Sequence, residues 1–298
     1  MYHSCNLCPR NCKIDRTSGK TGYCGMPDSV QVARASLHMW EEPCISGTSG
    51  SGTIFFSGCN LKCVFCQNHS IAIGHKGRTV SISQLSDLFL MLQDKGAHNI
   101  NLVTPSHYIP SIAQALTRAK GKGLTLPVVY NTSGYDSAQA LTLLDGLVDI
   151  YLPDFKYVSS VLSQKYSHAA DYFEIAKASL AEMYRQTGAP VFDTSGELMQ
   201  KGIIVRHLLL PGCLEDSKAV IRYLYETYGD DIYISIMNQY TPLPHVANYP
   251  ELNRKVTEAE YEALVNFAVD LGVEHGFIQE GDTAEESFIP EFDFTGLL

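Results

Sequence analysis

No apolar run in the sequence approaches the roughly 18 residues of a membrane span. Met1-Tyr2-His3-Ser4-Cys5 opens no hydrophobic segment of the signal-peptide kind. Both absences predict a soluble, cytoplasmic chain with no membrane partner. Positive charge is scarce as well: 22 Lys and Arg stand against 32 Asp and Glu, a formal net charge of −10. A field of that sign repels phosphate backbones and anionic lipid, so nucleic acid is not an expected partner. Charged residues are only 18% of the 298 and hydrophobic ones 45%, a balance that excludes intrinsic disorder and a disulfide-stapled miniprotein. Low-complexity sequence is confined to Ser46-Gly47-Thr48-Ser49-Gly50-Ser51-Gly52, readable as a flexible linker or a tight loop.

Cysteine, by contrast, is present and unevenly spread. Of the nine, only Cys213 lies beyond residue 66; the rest are Cys5, Cys8, Cys12, Cys24, Cys44, Cys59, Cys63 and Cys66. Without an export signal, clustered thiols in a reducing compartment predict metal binding. Residues 1–45, Cys- and Gly-rich with no sustained period, read as a small metal-binding module, and 46–298 as the main domain. Cys5, Cys8, Cys12 and Cys24 supply four thiolates, enough to close a tetrahedral zinc site or hold an additional iron-sulfur cluster. The loop-rich setting favours structural zinc, while the single Cys-x-x-Cys arm weighs against it. Cys44 and Cys213 read as lone buried thiols.

From Thr53 onward, short β-rich runs alternate with helical periods. Strands are predicted at 53–57, 99–103, 127–130, 148–152, 203–209 and 232–236, and helices at 81–95, 109–119, 136–145, 174–187, 216–228 and 257–271. Ser81 with Gln84, and Thr257 with Glu260, have capping-box spacing. Strands separated by helices pair in parallel with right-handed crossovers. The alternation fits an α/β barrel, complete or partial, and a doubly wound open sheet equally well. In either, ligands gather at the carboxyl ends of the strands.

Directly after the first of these strands comes Gly58-Cys59-Asn60-Leu61-Lys62-Cys63-Val64-Phe65-Cys66-Gln67-Asn68, with C-x3-C-x2-C spacing. Three soft thiolates can hold three corners of a cubane cluster and leave the fourth iron free for substrate. The plainer alternatives are zinc completed by a neighbour such as His69, or three reduced structural thiols.

Cys59, Cys63, Phe65 and Cys66 match a C-x3-C-x-aromatic-C signature, and here the sequence resembles the radical S-adenosylmethionine (radical SAM) superfamily. From Cys5 to about Gly276 it is similar to the PflX-like group, related to pyruvate formate-lyase activating enzymes. The resemblance implies a partial (β/α)6 TIM-type barrel. It also implies a [4Fe-4S] cluster on Cys59, Cys63 and Cys66 whose open iron chelates S-adenosylmethionine. Reductive cleavage to methionine and a 5′-deoxyadenosyl radical, for hydrogen abstraction, would follow. The implied enzyme is an oxidoreductase that draws electrons from a donor such as flavodoxin or ferredoxin. Its expected substrate is a protein, a backbone glycine of a partner enzyme. The rivals are radical modification of a small molecule or peptide and a non-catalytic iron-sulfur electron carrier; a carrier would complete its cluster with a fourth cysteine.

Other strand ends suit cofactor binding, with Phe65 of the signature beside them. Asn131 and Ser133 could bind ribose or merely form a turn. Asp154 and Lys156, two apart in an extended segment, share a face; the resemblance assigns such a D-x-K pair to the cofactor's methionine or ribose part, and a surface ion pair is the alternative. Arg206 offers fork geometry for a carboxylate, with His207 on the opposite face. The superfamily's Gly-Gly-Glu-type segment after the second strand is replaced by Val103-Thr104-Pro105-Ser106-His107, which has no carboxylate; His107 is expected to line the pocket. The role of Asn238-Gln239-Tyr240 stays open between substrate contact and turn, and no side chain is assigned as catalytic.

Overall fold

Two helices begin where their capping boxes lie. Ser81 Oγ accepts from the Gln84 N–H at 3.2 Å while Gln84 Oε1 accepts from the Ser81 N–H at 2.8 Å, opening the helix Ile82–Asp94. Thr257 and Glu260 repeat the arrangement for Glu258–Leu271. The computed structural model describes residues 1–73, 76–279 and 290–297.

Ten strands form along the described chain: β1 Val30–His38, β2 Ser51–Phe56, β3 Arg78–Val80, β4 Ile100–Val103, β5 Val128–Thr132, β6 Ile150–Pro153, β7 Val191–Phe192, β8 Met199–Leu208, β9 Tyr233–Met237 and β10 Gly276–Ile278. Their order is β10-β9-β8-β6-β5-β4-β2-β1-β3, with β7 off the path beside β8. Neighbours from β2 to β10 pair in parallel, whereas β1 runs antiparallel to both β2 and β3. From β2 outward the order never reverses. Right-handed crossovers that all step the same way place the crossover helices on one face, which makes this a barrel-type sheet; a doubly wound sheet needs a reversal. Because β10 and β3 are the two ends of the order, the barrel is unclosed.

All six expected strands are present, and β1, β3, β7 and β10 are additional. β1 lies inside the segment read as a separate module, yet it is paired to β2 from Val32 to His38, so the main sheet begins at residue 30. The expected 136–145 helix is a short α-helix, Ala138–Leu141, continued by a 3-10 turn, Thr142–Leu144. A helix at Ser160–Ser167 was not expected; Ser159 Oγ caps it at the Leu162 N–H.

Period-two alternation sorts each strand between two environments. Outward-facing Val128, Tyr130, Tyr151, Ile203 and Val205 join the core beneath the helices. On the other face Val129, Ile150, Leu152 and Ile204 meet Cys44 and Ile45, which close the interior from below as a dry floor. Above that floor the same strand faces turn polar with Asn131, Asp154 and Arg206. The floor therefore comes from the chain just before β2, where the sequence shows no strong period.

The N-terminal segment is tied to the barrel by Arg16, which is 0% exposed. Its guanidinium donates to the carbonyls of Met26 (3.0 Å), Pro27 (2.6 Å) and His107 (2.7 Å). His107 and His207 are also buried, each holding a carbonyl, Ser57 O and Phe155 O respectively, at 2.7 Å. Burial pushes His107 down to about 3 and His207 down to about 4, so both are neutral in the fold. In the unfolded chain they protonate near about 6.5. As pH falls the unfolded state therefore takes up protons first; the stability is intact above about pH 6.5 and is lost progressively toward about pH 4. Urea midpoints of the apoprotein are expected to drop between about pH 7.5 and about pH 5. A flat profile would contradict neutral burial of the two rings.

Candidate functional site

The loop after β2 begins at Gly58 with φ +87°, where a Cβ would sit 2.3 Å from Met26 Cγ and 2.8 Å from the Cys24 carbonyl. Glycine alone lets the loop start flush against the N-terminal segment. Cys59, Cys63 and Cys66 then line a cavity of about 220 Å³. Its walls include Phe65, Asn131, Ser133, Asp154, Lys156 and Arg206, so all the residues that the sequence singles out for cluster and cofactor meet in one place.

The donor set fits an iron-sulfur cluster. Burial pushes the Cys63 thiol up to about 11, with nearby Lys156 partly opposing, and pushes Cys66 up as well, with the Cys59 and Cys63 sulfurs adding to the rise. Such thiols keep their protons until a metal's charge displaces them. Two of the three sulfurs have a hydrogen-bond donor aimed at them. The Leu61 N–H lies 3.3 Å from Cys59 Sγ and the Ser167 hydroxyl 3.0 Å from Cys63 Sγ. Thiolates accept hydrogen bonds, and donors already in place suit that state.

A charged cluster shares the cavity with the thiols. Arg206 Nη2 donates to Asn131 Oδ1 at 2.7 Å, Nη1 to Glu41 Oε2 at 3.0 Å and Nε to Asp154 Oδ1 at 3.3 Å, while Lys156 Nζ donates to Asp154 Oδ2 at 2.6 Å. Burial alone would raise Asp154, but Lys156 and Arg206 outweigh it and hold the carboxyl below its usual range. Burial likewise disfavours the charged forms of Lys156 and Arg206, and their anionic neighbours reverse that. Lys156 Nζ also lies 5.8 Å over the Phe65 ring.

Glu41 is the functional candidate that sequence reasoning missed. Its Oε1 accepts from Asn101 Nδ2 (2.9 Å) and Asn131 Nδ2 (3.3 Å), and its side chain is 6% exposed. In the sequence, Glu41-Glu42-Pro43 looks like an ordinary acidic helix start. Only the antiparallel return of β1 brings it inside the barrel. Thus the cavity has a buried carboxylate, although none follows the second parallel strand; Thr104 lines the cavity there, at φ +59°.

One expectation changes, and two open readings gain a structural setting. His107 does not line the cavity: its ring lies behind Gly58 and binds the Ser57 carbonyl. His69 stacks on His245, ring centroids 4.4 Å apart. Of Asn238-Gln239-Tyr240, Gln239 lines the cavity and Tyr240 is buried, bonded to the Leu252 carbonyl at 2.7 Å.

Cys5, Cys8, Cys12 and Cys24 come together beside this site. Burial pushes Cys8 up to about 12, and the other three sulfurs are near enough to add to the rise. Here too sulfurs face donors: Arg16 Nη1 at 3.8 Å from Cys5 and the Tyr23 N–H at 3.4 Å from Cys12. Among the described residues, no three His, Cys, Asp or Glu side chains close around a single ion. Arg10 braces the two cysteine sets, donating to the carbonyls of Asn60 (2.8 Å) and His168 (2.6 Å).

Comparison with known proteins adds the following. The Radical SAM superfamily model matches residues 53–195. An uncharacterized protein of Methanocaldococcus jannaschii is 27% identical over 277 residues, covering 90% of this chain and 75% of that protein. Among solved structures the chain is similar to SuiB of Streptococcus suis bound to its precursor peptide SuiA, with TM-score 0.52 and 13% identity over 74% of this chain and 46% of that one. SuiB bound to S-adenosylmethionine gives TM-score 0.52 and 14% identity over 75% and 48%. HydG, a maturase of the [FeFe]-hydrogenase, gives TM-score 0.51 and 13% identity over 80% and 54%. The chain spans about half the length of these solved structures. At such identities the likeness concerns the fold. Among the described residues no helix is long and apolar enough to cross a membrane.

Proposed function

We propose, from the support that the family model and the shared fold lend to the radical SAM superfamily, that this chain is an enzyme that cleaves S-adenosylmethionine reductively and abstracts hydrogen from a substrate. The superfamily implies a [4Fe-4S] cluster and S-adenosylmethionine as cofactors. One observation carries the reading: Cys59, Cys63 and Cys66 open onto the same cavity as Asp154, Lys156 and Arg206. When bound, the cluster and S-adenosylmethionine supply the reducing electron's path and the 5′-deoxyadenosyl radical.

The chain's residues do the rest. The three thiolates would hold three irons of such a cluster and leave one without a protein ligand. Asp154, kept ionised by its two cations, is an acceptor for ammonium or ribose hydroxyl protons, and Asn131 and Ser133 stand on the same wall for polar contacts. Lys156 and Arg206 are the cations on that wall that could meet a carboxylate, each already engaged by Asp154 or Glu41. Phe55, Val103 and Met237 line the cavity as well and keep it partly apolar, which limits water around a radical. The electron must come from outside, from a one-electron donor of the flavodoxin or ferredoxin kind. For substrate we carry forward a backbone glycine of a partner enzyme, with a small molecule or peptide as rival.

Anaerobic reconstitution followed by dithionite and S-adenosylmethionine is expected to yield 5′-deoxyadenosine, with about four irons at the first site. Metal analysis of the same sample reads the Cys5, Cys8, Cys12 and Cys24 site as zinc or as further iron. Transfer of deuterium into 5′-deoxyadenosine from a labelled protein fraction, rather than from a labelled small-molecule fraction, supports the glycine reading. Absence of both iron and 5′-deoxyadenosine overturns the assignment.

A further inference from the structure

Of the three cluster-loop sulfurs, Cys59 receives its hydrogen bond from the backbone, the Leu61 N–H at 3.3 Å. Cys63 receives its bond from a side chain, Ser167 Oγ at 3.0 Å, from a residue 104 positions away. A backbone donor survives any substitution except proline, whereas a hydroxyl can be deleted, so this is the contact at which the amino-acid sequence sets how a sulfur is solvated.

The contact is built. Ser167 is 0% exposed and closes the helix Ser160–Ser167. The Val64 N–H holds that helix end to the cysteine loop through the Tyr166 carbonyl at 2.9 Å, and Arg10 bridges the two, donating to the Asn60 carbonyl of the loop at 2.8 Å and to the Ser167 (3.4 Å) and His168 (2.6 Å) carbonyls of the helix end. Behind the serine lies Tyr157, also buried, with its hydroxyl 2.9 Å from Ser167 Oγ. A serine hydroxyl has one proton. Once Cys63 is a thiolate it can only accept, so Ser167 gives that proton to sulfur and Tyr157 must donate to Ser167. The direction of the whole chain, Tyr157 to Ser167 to Cys63, follows from that count.

We infer that Tyr157 and Ser167 form a relay that sets the reducibility of a cluster bound at Cys63, with Ser167 and Tyr157 as positioning residues. This rests on the cluster assignment above. One-electron reduction adds negative charge to a cluster and its sulfurs, and a donor hydrogen bond stabilises the more negative state more than the less negative one. In a dry setting the effect is larger than in water, and a second hydroxyl polarises the first in the same sense. The relay therefore makes reduction easier. Lys156, also near Cys63, acts in the same direction but is shared with Asp154.

Redox titration of the anaerobically reconstituted protein, followed by the electron paramagnetic resonance signal of the reduced cluster, tests this. Ser167→Ala is expected to keep its iron and shift the midpoint to a more negative potential, with a two- to tenfold smaller reduction equilibrium constant, up to about 59 mV for one electron. Tyr157→Phe should shift the same way and by less, and Ser167→Ala with Tyr157→Phe by no more than Ser167→Ala alone. Wild-type potential in an iron-replete Ser167→Ala protein overturns the inference. If Ser167→Ala fails to hold iron, the Tyr157→Phe midpoint decides, an unchanged value overturning the relay. Failure of the wild-type chain to take up a cluster at all would instead sink the cluster assignment.

Discussion

Single replacement of Cys59, Cys63 or Cys66 by alanine is expected to reduce 5′-deoxyadenosine formation to background. Each variant removes one of three proposed ligands from a cavity with no other thiol among its described lining residues. A cluster held by two thiolates would be labile, and without it the proposed cleavage would lack its electron source. The fold should survive, because the loop is fastened by contacts that do not involve sulfur, including the Asn60 side-chain donation to the Tyr135 carbonyl at 2.6 Å and the Arg10 brace. Cys213→Ala, as the control, should retain iron and activity. Chromatographic quantitation of 5′-deoxyadenosine beside iron content settles the matter, and full cleavage in all three variants would remove these residues from the mechanism.

The second large effect is expected at Arg206. Its guanidinium neutralises Glu41 and Asp154 and fixes the Asn131 amide at once. Arg206→Gln leaves two carboxylates facing each other inside the barrel with only Lys156 beside one of them. The loss of stability is expected to be about 2 kcal/mol, below the roughly 3 to 5 kcal/mol of a fully buried broken pair, because the cavity admits solvent that screens what remains. Affinity for S-adenosylmethionine should fall with it. Lysine at this position should rescue little, since one ammonium cannot span three acceptors on three elements. Adding Glu41→Gln to Arg206→Gln should restore part of the stability by removing the stranded charge. Additive losses in that double-mutant cycle, measured by urea denaturation, would mean that the two side chains are not coupled.

The coupling between Glu41 and Arg206 marks where sequence reading stops. Cys59, Cys63, Phe65 and Cys66 were legible because a metal loop needs its ligands at short, fixed spacing, which a linear string displays. Asp154 and Lys156 were legible as a same-face pair because strand geometry repeats every two residues, and they are bonded at 2.6 Å. The six strand-helix units could be read from apolar period and capping boxes, since both are local consequences of backbone geometry. Glu41, Arg16 and Ser167 have no such local signal. Each acts on a partner far along the chain: Arg206 for Glu41, the His107 carbonyl for Arg16, and Cys63 for Ser167.

The same division explains the architecture. By itself the sequence determined that parallel strands alternate with helices and that three thiolates sit at a strand's carboxyl end. It left barrel and open sheet equally acceptable, because both are built from identical strand-helix units. Strand order decided between them, and strand order is a property of which edges meet in space. Likewise β1 could not be recognised as the strand whose return brings Glu41 and the Pro43–Ser46 floor into the barrel, since a strand's partner is chosen by hydrogen bonding to a distant segment. Only the folded chain brings a carboxylate from before β2, an arginine from β8 and a serine from a helix end to a loop of cysteines, because side-chain chemistry at that site depends on distances that the order of residues does not encode.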